Sequence, residues 1–155
     1  MNFSIKGEIL IETAASKLFA FVSNLENDQL WRKEINYSQS NGSAQLGTLV
    51  KESSFLSKRV PENILELTCT EFILNSQITY TTLNPNSFYL QSKRNVVPIN
   101  SKQSKFIYKI IFDKNIVKHG LGFNLPNFLI QMAAQSDMKK YLKKLKQVLE
   151  TNVQN

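Results

Sequence analysis

Between Phe3 and Glu12 the chain alternates, with Phe3, Ile5, Ile9 and Ile11 on one side and Ser4, Lys6, Glu8 and Glu12 mostly on the other. That period of two predicts a first strand with one wet face. Thr13 supplies a side-chain oxygen suited to an N-cap. Ala15, Leu18, Phe19 and Val22 then share one helical face, which predicts a short helix over about 14–23 and a second helical turn over about 25–31. Strand patterns dominate next, at about 35–40, 47–56, 63–72, 77–83, 88–97 and 102–113. Asn41-Gly42, Asn75-Ser76 and Asn84-Pro85-Asn86 punctuate them as turns.

After the strands, Gly120-Leu-Gly-Phe-Asn-Leu-Pro126 leads into one long helical pattern. Ala134, Met138, Tyr141, Leu142, Leu145, Val148 and Leu149 recur at three-and-four spacing, the mark of a helix with one buried face. Lys139, Lys140, Lys143, Lys144 and Lys146 fall mostly on its other side. Earlier, Leu125, Phe128, Leu129, Ile130, Met132 and Ala133 are apolar nearly all round, which predicts cover on every side. Short turns between successive strands imply an antiparallel meander. Its apolar face needs cover, and the last helix is the only long element able to give it. About twenty-five helical residues span roughly 37 Å, enough to cross a curved sheet. A twisted sheet around one helix seldom closes fully, so an apolar pocket is expected between them. The 120–126 segment is its expected entrance and 125–135 one of its walls.

The length of 155 residues suits one domain, 1–155. The single cysteine, Cys69, excludes an internal disulfide and fits a reducing compartment. No signal-peptide pattern opens the chain and no apolar run is long enough for a membrane span, so a soluble, cytoplasmic protein is expected. The net charge of +7 is uneven: seven Lys/Arg face nine Asp/Glu through Tyr89, against twelve and three from Leu90 onward. Such asymmetry suits an anionic surface, and the lysine-rich end of the last helix is a candidate for transient contact with an anionic membrane. The blander reading is a solvated helix face. Without zinc ligands or an RNA-binding signature, no nucleic-acid partner is expected.

The opening strand, Thr13-Ala-Ala-Ser-Lys-Leu-Phe-Ala-Phe-Val-Ser-Asn-Leu-Glu-Asn27 and Trp31 together resemble the start of the START-related (SRPBCC) superfamily of polyketide cyclases and lipid-transfer proteins. Gly47-Thr48 and Leu142-xx-Leu145-Lys146-xxx-Glu150 fit as well. Gly122-Phe-Asn-Leu-Pro126-Asn-Phe128-Leu129-Ile130 resembles the segment that opens the last helix in lipid-binding members, although Gly122 lies one residue further from the proline than in that pattern. The resemblance implies an α+β helix-grip fold: a curved antiparallel sheet of about six or seven strands around a long C-terminal helix, with two short helices after the first strand. It also implies binding or transport of a hydrophobic or amphipathic molecule such as a lipid, sterol, isoprenoid or polyketide. A cyclase or dehydratase acting in the same pocket is the alternative.

Catalytic signals are sparse. The chain has no Gly-x-Ser-x-Gly, phosphate-binding glycine loop or Cys-x-x-Cys, and no metal or organic cofactor is expected. His119, the only histidine, reads as an exposed loop residue. Cys69 shares a strand face with Leu65 and Leu67 and reads as core, as does Trp31. Glu66 and Glu71, five apart, face opposite sides unless a bulge intervenes. Arg94 shares parity with Phe88, Leu90 and Val96, which aims it inward, where it needs a partner: Glu66, Glu71 or the acidic head of a ligand. Gln131 and Gln135 fall near the buried stripe of the last helix, where they bond either to protein or to a ligand. The candidate ligand-binding residues are therefore Ile9, Leu67, Tyr80, Leu90, Arg94, Phe106, Tyr108, Phe128, Met132 and Gln135. They favour a binding protein over an enzyme. A third reading is an interaction module that uses the sheet's outer surface.

Overall fold

In the computed structural model, which describes residues 1–83 and 87–153, seven strands form one antiparallel sheet. They are β1 (Asn2–Ile11), β2 (Ile35–Ser40), β3 (Leu49–Ser54), β4 (Asn63–Ile73), β5 (Gln77–Thr82), β6 (Leu90–Asn100) and β7 (Gln103–Asp113). The sheet order is β1-β7-β6-β5-β4-β3-β2. Six strands thus form the expected meander, and the first pairs with the last, Phe3 opposite Phe112 and Ile9 opposite Phe106. The connection between the two sheet edges holds α1 (Ala15–Ser23) and a 3-10 turn (Leu25–Leu30). The turn expected at 84–86 lies outside the described residues.

The concave face holds the core. Leu65, Leu67 and Cys69 of β4 point inward with Ile78 and Tyr80 of β5 and Phe106 and Tyr108 of β7. Trp31 packs edge-on against Phe106 and Tyr108, with ring centroids 6.1 and 5.3 Å away, where the 3-10 turn meets the sheet. A bulge between Cys69 and Glu71 resets the parity of β4. Glu66 and Glu71 therefore both face outward, and Glu71 accepts from Gln77 Nε2 at 3.0 Å. Thr13 does not cap α1. The N-cap residue is Ala14, without a side-chain bond, and the buried Thr13 offers its carbonyl to the Ser104 hydroxyl at 2.8 Å.

A further short helix, α2 (Asn115–Leu121), precedes the last one and carries the exposed His119, so that histidine is not in a loop. α2 stops at Gly122, whose φ of 83° favours glycine. The last helix, α3 (Asn127–Val153), lies across the sheet and buries Ile130, Met138, Tyr141, Leu142, Leu145 and Leu149. Its close approach to β1 depends on Gly7, where an added Cβ would stand 2.8 Å from Leu142 Cδ1 and Met138 Cγ. The first turns of α3 depart from expectation. Phe128 and Met132 are 64% and 65% exposed, and Leu129 is exposed too. In this stretch only Ile130 is buried, because no described element covers the helix's outer side.

Candidate ligand cavity

A cavity of about 470 Å³ lies between the concave sheet, α2 and the first half of α3. Ile5 of β1, Leu65 of β4, Leu90 of β6, and Ile110 and Phe112 of β7 line its sheet side, with Leu56 beyond the end of β3. Ile116, Val117 and Leu121 of α2, Leu125, and Ile130, Ala133, Ala134 and Met138 of α3 complete the apolar wall. Gly120, Leu121 and Leu125 line it as well, which puts the 120–126 segment at the cavity. Leu121 and Ala133 both line the cavity and are exposed, so they mark its rim. A second concavity of about 530 Å³, between α1 and the turn at Gly42, is lined mostly by exposed or half-exposed residues.

The lining has a polar end. Along α3, Ile130 and Tyr141 are separated by roughly 16 Å of helix. Ile130 lies toward α2, whereas Asp137 and Tyr141 lie beside Lys33 and Glu34. β3 follows the same gradient. Glu52 lies at the polar end, and beyond the strand Ser57 Oγ donates to the Gly120 carbonyl at 2.6 Å. Arg32, Glu34, Glu52, Asp137 and Tyr141 thus form one end of the cavity, and the side chains around α2 form the other.

Behind the polar end stands a buried ion network. Asp28, with no exposure, accepts from Arg94 Nη1 at 2.8 Å and Nη2 at 2.6 Å, and from Arg32 Nη1 at 3.0 Å. Arg32 continues to Glu34 at 2.9 Å and Glu52 at 3.3 Å. Arg94 also donates to the Val22 carbonyl and Ser92 Oγ, and its guanidinium lies 5.2 Å from the Trp31 ring centroid and 5.0 Å from that of Tyr108. Burial opposes the charge of Arg94, but the Asp28 carboxylate offsets it and holds the guanidinium above its ordinary pKa. Burial raises the carboxyl of Glu52, and Arg32 pulls it only part of the way back. The Tyr141 phenol is raised by burial and by the charge of Glu34. Among the described residues no group of three or more His, Cys, Asp or Glu is placed to hold a metal.

Of the ten candidate residues, Leu90 lines the cavity. Leu67, Tyr80, Phe106 and Tyr108 are core, with the Tyr80 hydroxyl donating to the Ser23 carbonyl at 2.9 Å. Ile9 packs on that core, half-buried. The partner of Arg94 is Asp28, neither Glu66 nor Glu71, because the 3-10 turn carries Asp28 into the sheet's concavity. Gln135 donates to the Lys6 carbonyl at 3.1 Å and Gln131 is exposed, so neither lines the cavity. Phe128 and Met132 point to solvent. Sequence reasoning missed Arg32, Glu34 and Glu52. Glu52 carried a legible signal, since it shares parity with Val50 in β3 and is buried with it.

No family model and no curated protein matches the chain. Solved structures do. A START superfamily protein from Mycobacterium smegmatis superposes with a TM-score of 0.75 at 13% identity, over 96% of this chain and 97% of that one. An aromatase/cyclase from Streptomyces sp. R1128 reaches 0.74 at 9% identity, over 99% and 96%. A protein of unknown function from Staphylococcus aureus reaches 0.69 at 11%, over 100% and 98%. The fold is the START-type helix grip. At these identities the likeness speaks for fold alone.

Proposed function

We propose that this START-type domain binds a hydrophobic or amphipathic small molecule in the cavity between sheet, α2 and α3. The observation that carries this reading is the cavity of about 470 Å³, apolar along most of its wall and polar at one end. That is the usual makeup of a small-molecule site. Burial of the ligand's apolar surface supplies most of the affinity, at roughly 25 cal/mol per Å² before ordering costs. Delipidated protein incubated with a lipid extract should retain a small molecule in native mass spectrometry. Ala134→Phe, which fills the cavity from α3, should retain none. Failure of the parent to retain anything across a broad lipid and polyketide panel overturns the reading.

Exchange of such a ligand suits a membrane surface, and the solvent face of α3 supports this part of the proposal. Phe128, Met132, Lys139 and Lys143 lie within about 60° of one another on that helix, all exposed. Apolar side chains beside the cavity rim, followed by lysines on the same face, match the depth profile of an anionic bilayer surface. The alternative, an enzyme of cyclase or dehydratase type, is favoured by one observation: Glu52 is a buried carboxyl of raised pKa that lines the cavity. In that case Glu52→Gln abolishes turnover of a cyclisable polyketide analogue while leaving its binding intact.

A further inference from the structure

The charges at the polar end of the cavity do not balance. Asp28, Glu34 and Glu52 face Arg32 and Arg94, three carboxylates against two guanidinium groups. The only other ionisable group on the lining at that end besides Tyr141 is Asp137, another carboxylate, which meets Lys33 at 3.3 Å on the outside. Both arginines are committed inward. Arg94 has no exposure and does not line the cavity, and Arg32 is buried and divided among Asp28, Glu34 and Glu52. At that end, neither guanidinium is therefore free to receive an anionic head.

Acceptor capacity, by contrast, is left over. Glu34 gives one carboxylate oxygen to Arg32, and its second, Oε2, is buried beside the Tyr141 phenol with no donor in good hydrogen-bond geometry. Glu52, 2% exposed, has a single arginine contact at 3.3 Å. A buried carboxylate oxygen without a donor is costly, and so is an uncompensated negative charge. One donor that is also a cation satisfies both.

Resting on the reading of this cavity as a ligand site, we propose that the ligand carries a protonated amine head. The head is held by Glu34 and Glu52, with Asp137 adding negative charge, and its apolar tail runs toward α2. An acidic amphiphile is disfavoured, since its carboxylate would meet carboxylates. Burial already drives Glu52 toward its protonated form, which offsets the surplus negative charge. A ligand cation takes over that role, so amine binding displaces a proton from Glu52 wherever that group is protonated beforehand.

Three probes with one tail and different heads test this: decylamine, decanol and decanoate, each titrated calorimetrically at neutral pH below its aggregation threshold. A charge-assisted hydrogen bond to a carboxylate is roughly twice as strong as a neutral one. Decylamine should therefore bind at least about tenfold more tightly than decanol, and decanoate more weakly than both. Glu34→Gln should reduce the ratio of amine to decanol affinity, with circular dichroism and a cooperative urea transition showing that the variant is folded. Equal binding of the three probes, or tighter binding of decanoate, overturns the amine assignment and leaves the cavity reading standing. An amine preference that persists in both Glu34→Gln and Glu52→Gln overturns it too. No binding of any probe overturns the amine assignment, and joined with no retained molecule across the lipid and polyketide panel it overturns the cavity reading as well.

Discussion

Asp28 is the residue on which the polar end depends, and removing it is the sharpest test of the architecture. It is fully buried and accepts three guanidinium hydrogen bonds, two from Arg94 and one from Arg32. Asp28→Ala deletes all three and leaves Arg94 with Val22, Ser92 and Tyr108 as hydrogen-bond partners but no carboxylate in contact. Breaking a buried pair from one side costs about 3–5 kcal/mol. Domains commonly have about 5–15 kcal/mol in total, so a large share of the stability goes. At about 2–4 °C per kcal/mol for a chain of this size, the melting temperature should fall by roughly 6–20 °C. Urea denaturation followed by fluorescence reports directly on the site, because the sole tryptophan, Trp31, lies 5.2 Å from the Arg94 guanidinium. The double variant Asp28→Leu/Arg94→Met removes charge from both sides, while Arg32 keeps Glu34 and Glu52. It should regain much of the loss. A cost below about 1 kcal/mol for Asp28→Ala would refute the reasoning, as would a double variant no more stable than the single.

Gly7→Val should destabilise by about 1–3 kcal/mol in the same assay, since its side chain would meet Leu142 and Met138 at the contact of α3 with β1; Gly7→Ala should cost less. Glu52, whose folded pKa lies above its ordinary value near 4.5, binds its proton more tightly in the folded state. Its contribution is present below 4.5 and is lost as pH rises through the folded pKa. Arg32, Asp28, Glu34 and Arg94 all face it. Glu52→Gln should accordingly flatten the loss of stability above pH 4.5 and raise the urea midpoint at neutral pH. Phe128→Ser with Met132→Ser should weaken sedimentation with vesicles of anionic phospholipid by at least about tenfold, given about 1.5–3 kcal/mol for a fully buried side chain. Added salt should weaken it further through Lys139 and Lys143.

What could be read along the chain alone was whatever repeats at short range. The alternation of β1, β4, β6 and β7 and the three-and-four spacing from Ala134 to Leu149 each state which side of an element is apolar. Stacking those sides leaves one arrangement, a curled sheet closed by the last helix. The inward aim of Arg94 was legible for the same reason, as parity carries direction. α2 was not legible, because seven residues with an Ile-Val pair make too short a pattern to separate from the end of a strand.

Tertiary structure decided the rest. The partner of Arg94 lies sixty-six residues away in a 3-10 turn, and no local pattern links the two. One bulge after Cys69 turned Glu71 outward, where strict alternation would have pointed it in. The apolar start of α3 reads as buried on every side because its composition says so, yet Phe128 and Met132 face solvent because no described element reaches them. Periodicity specifies the faces of single elements. Which faces meet, which ions pair and which apolar side chains stay uncovered depend on how far each element extends over its neighbours, and that is settled only when all of them pack at once.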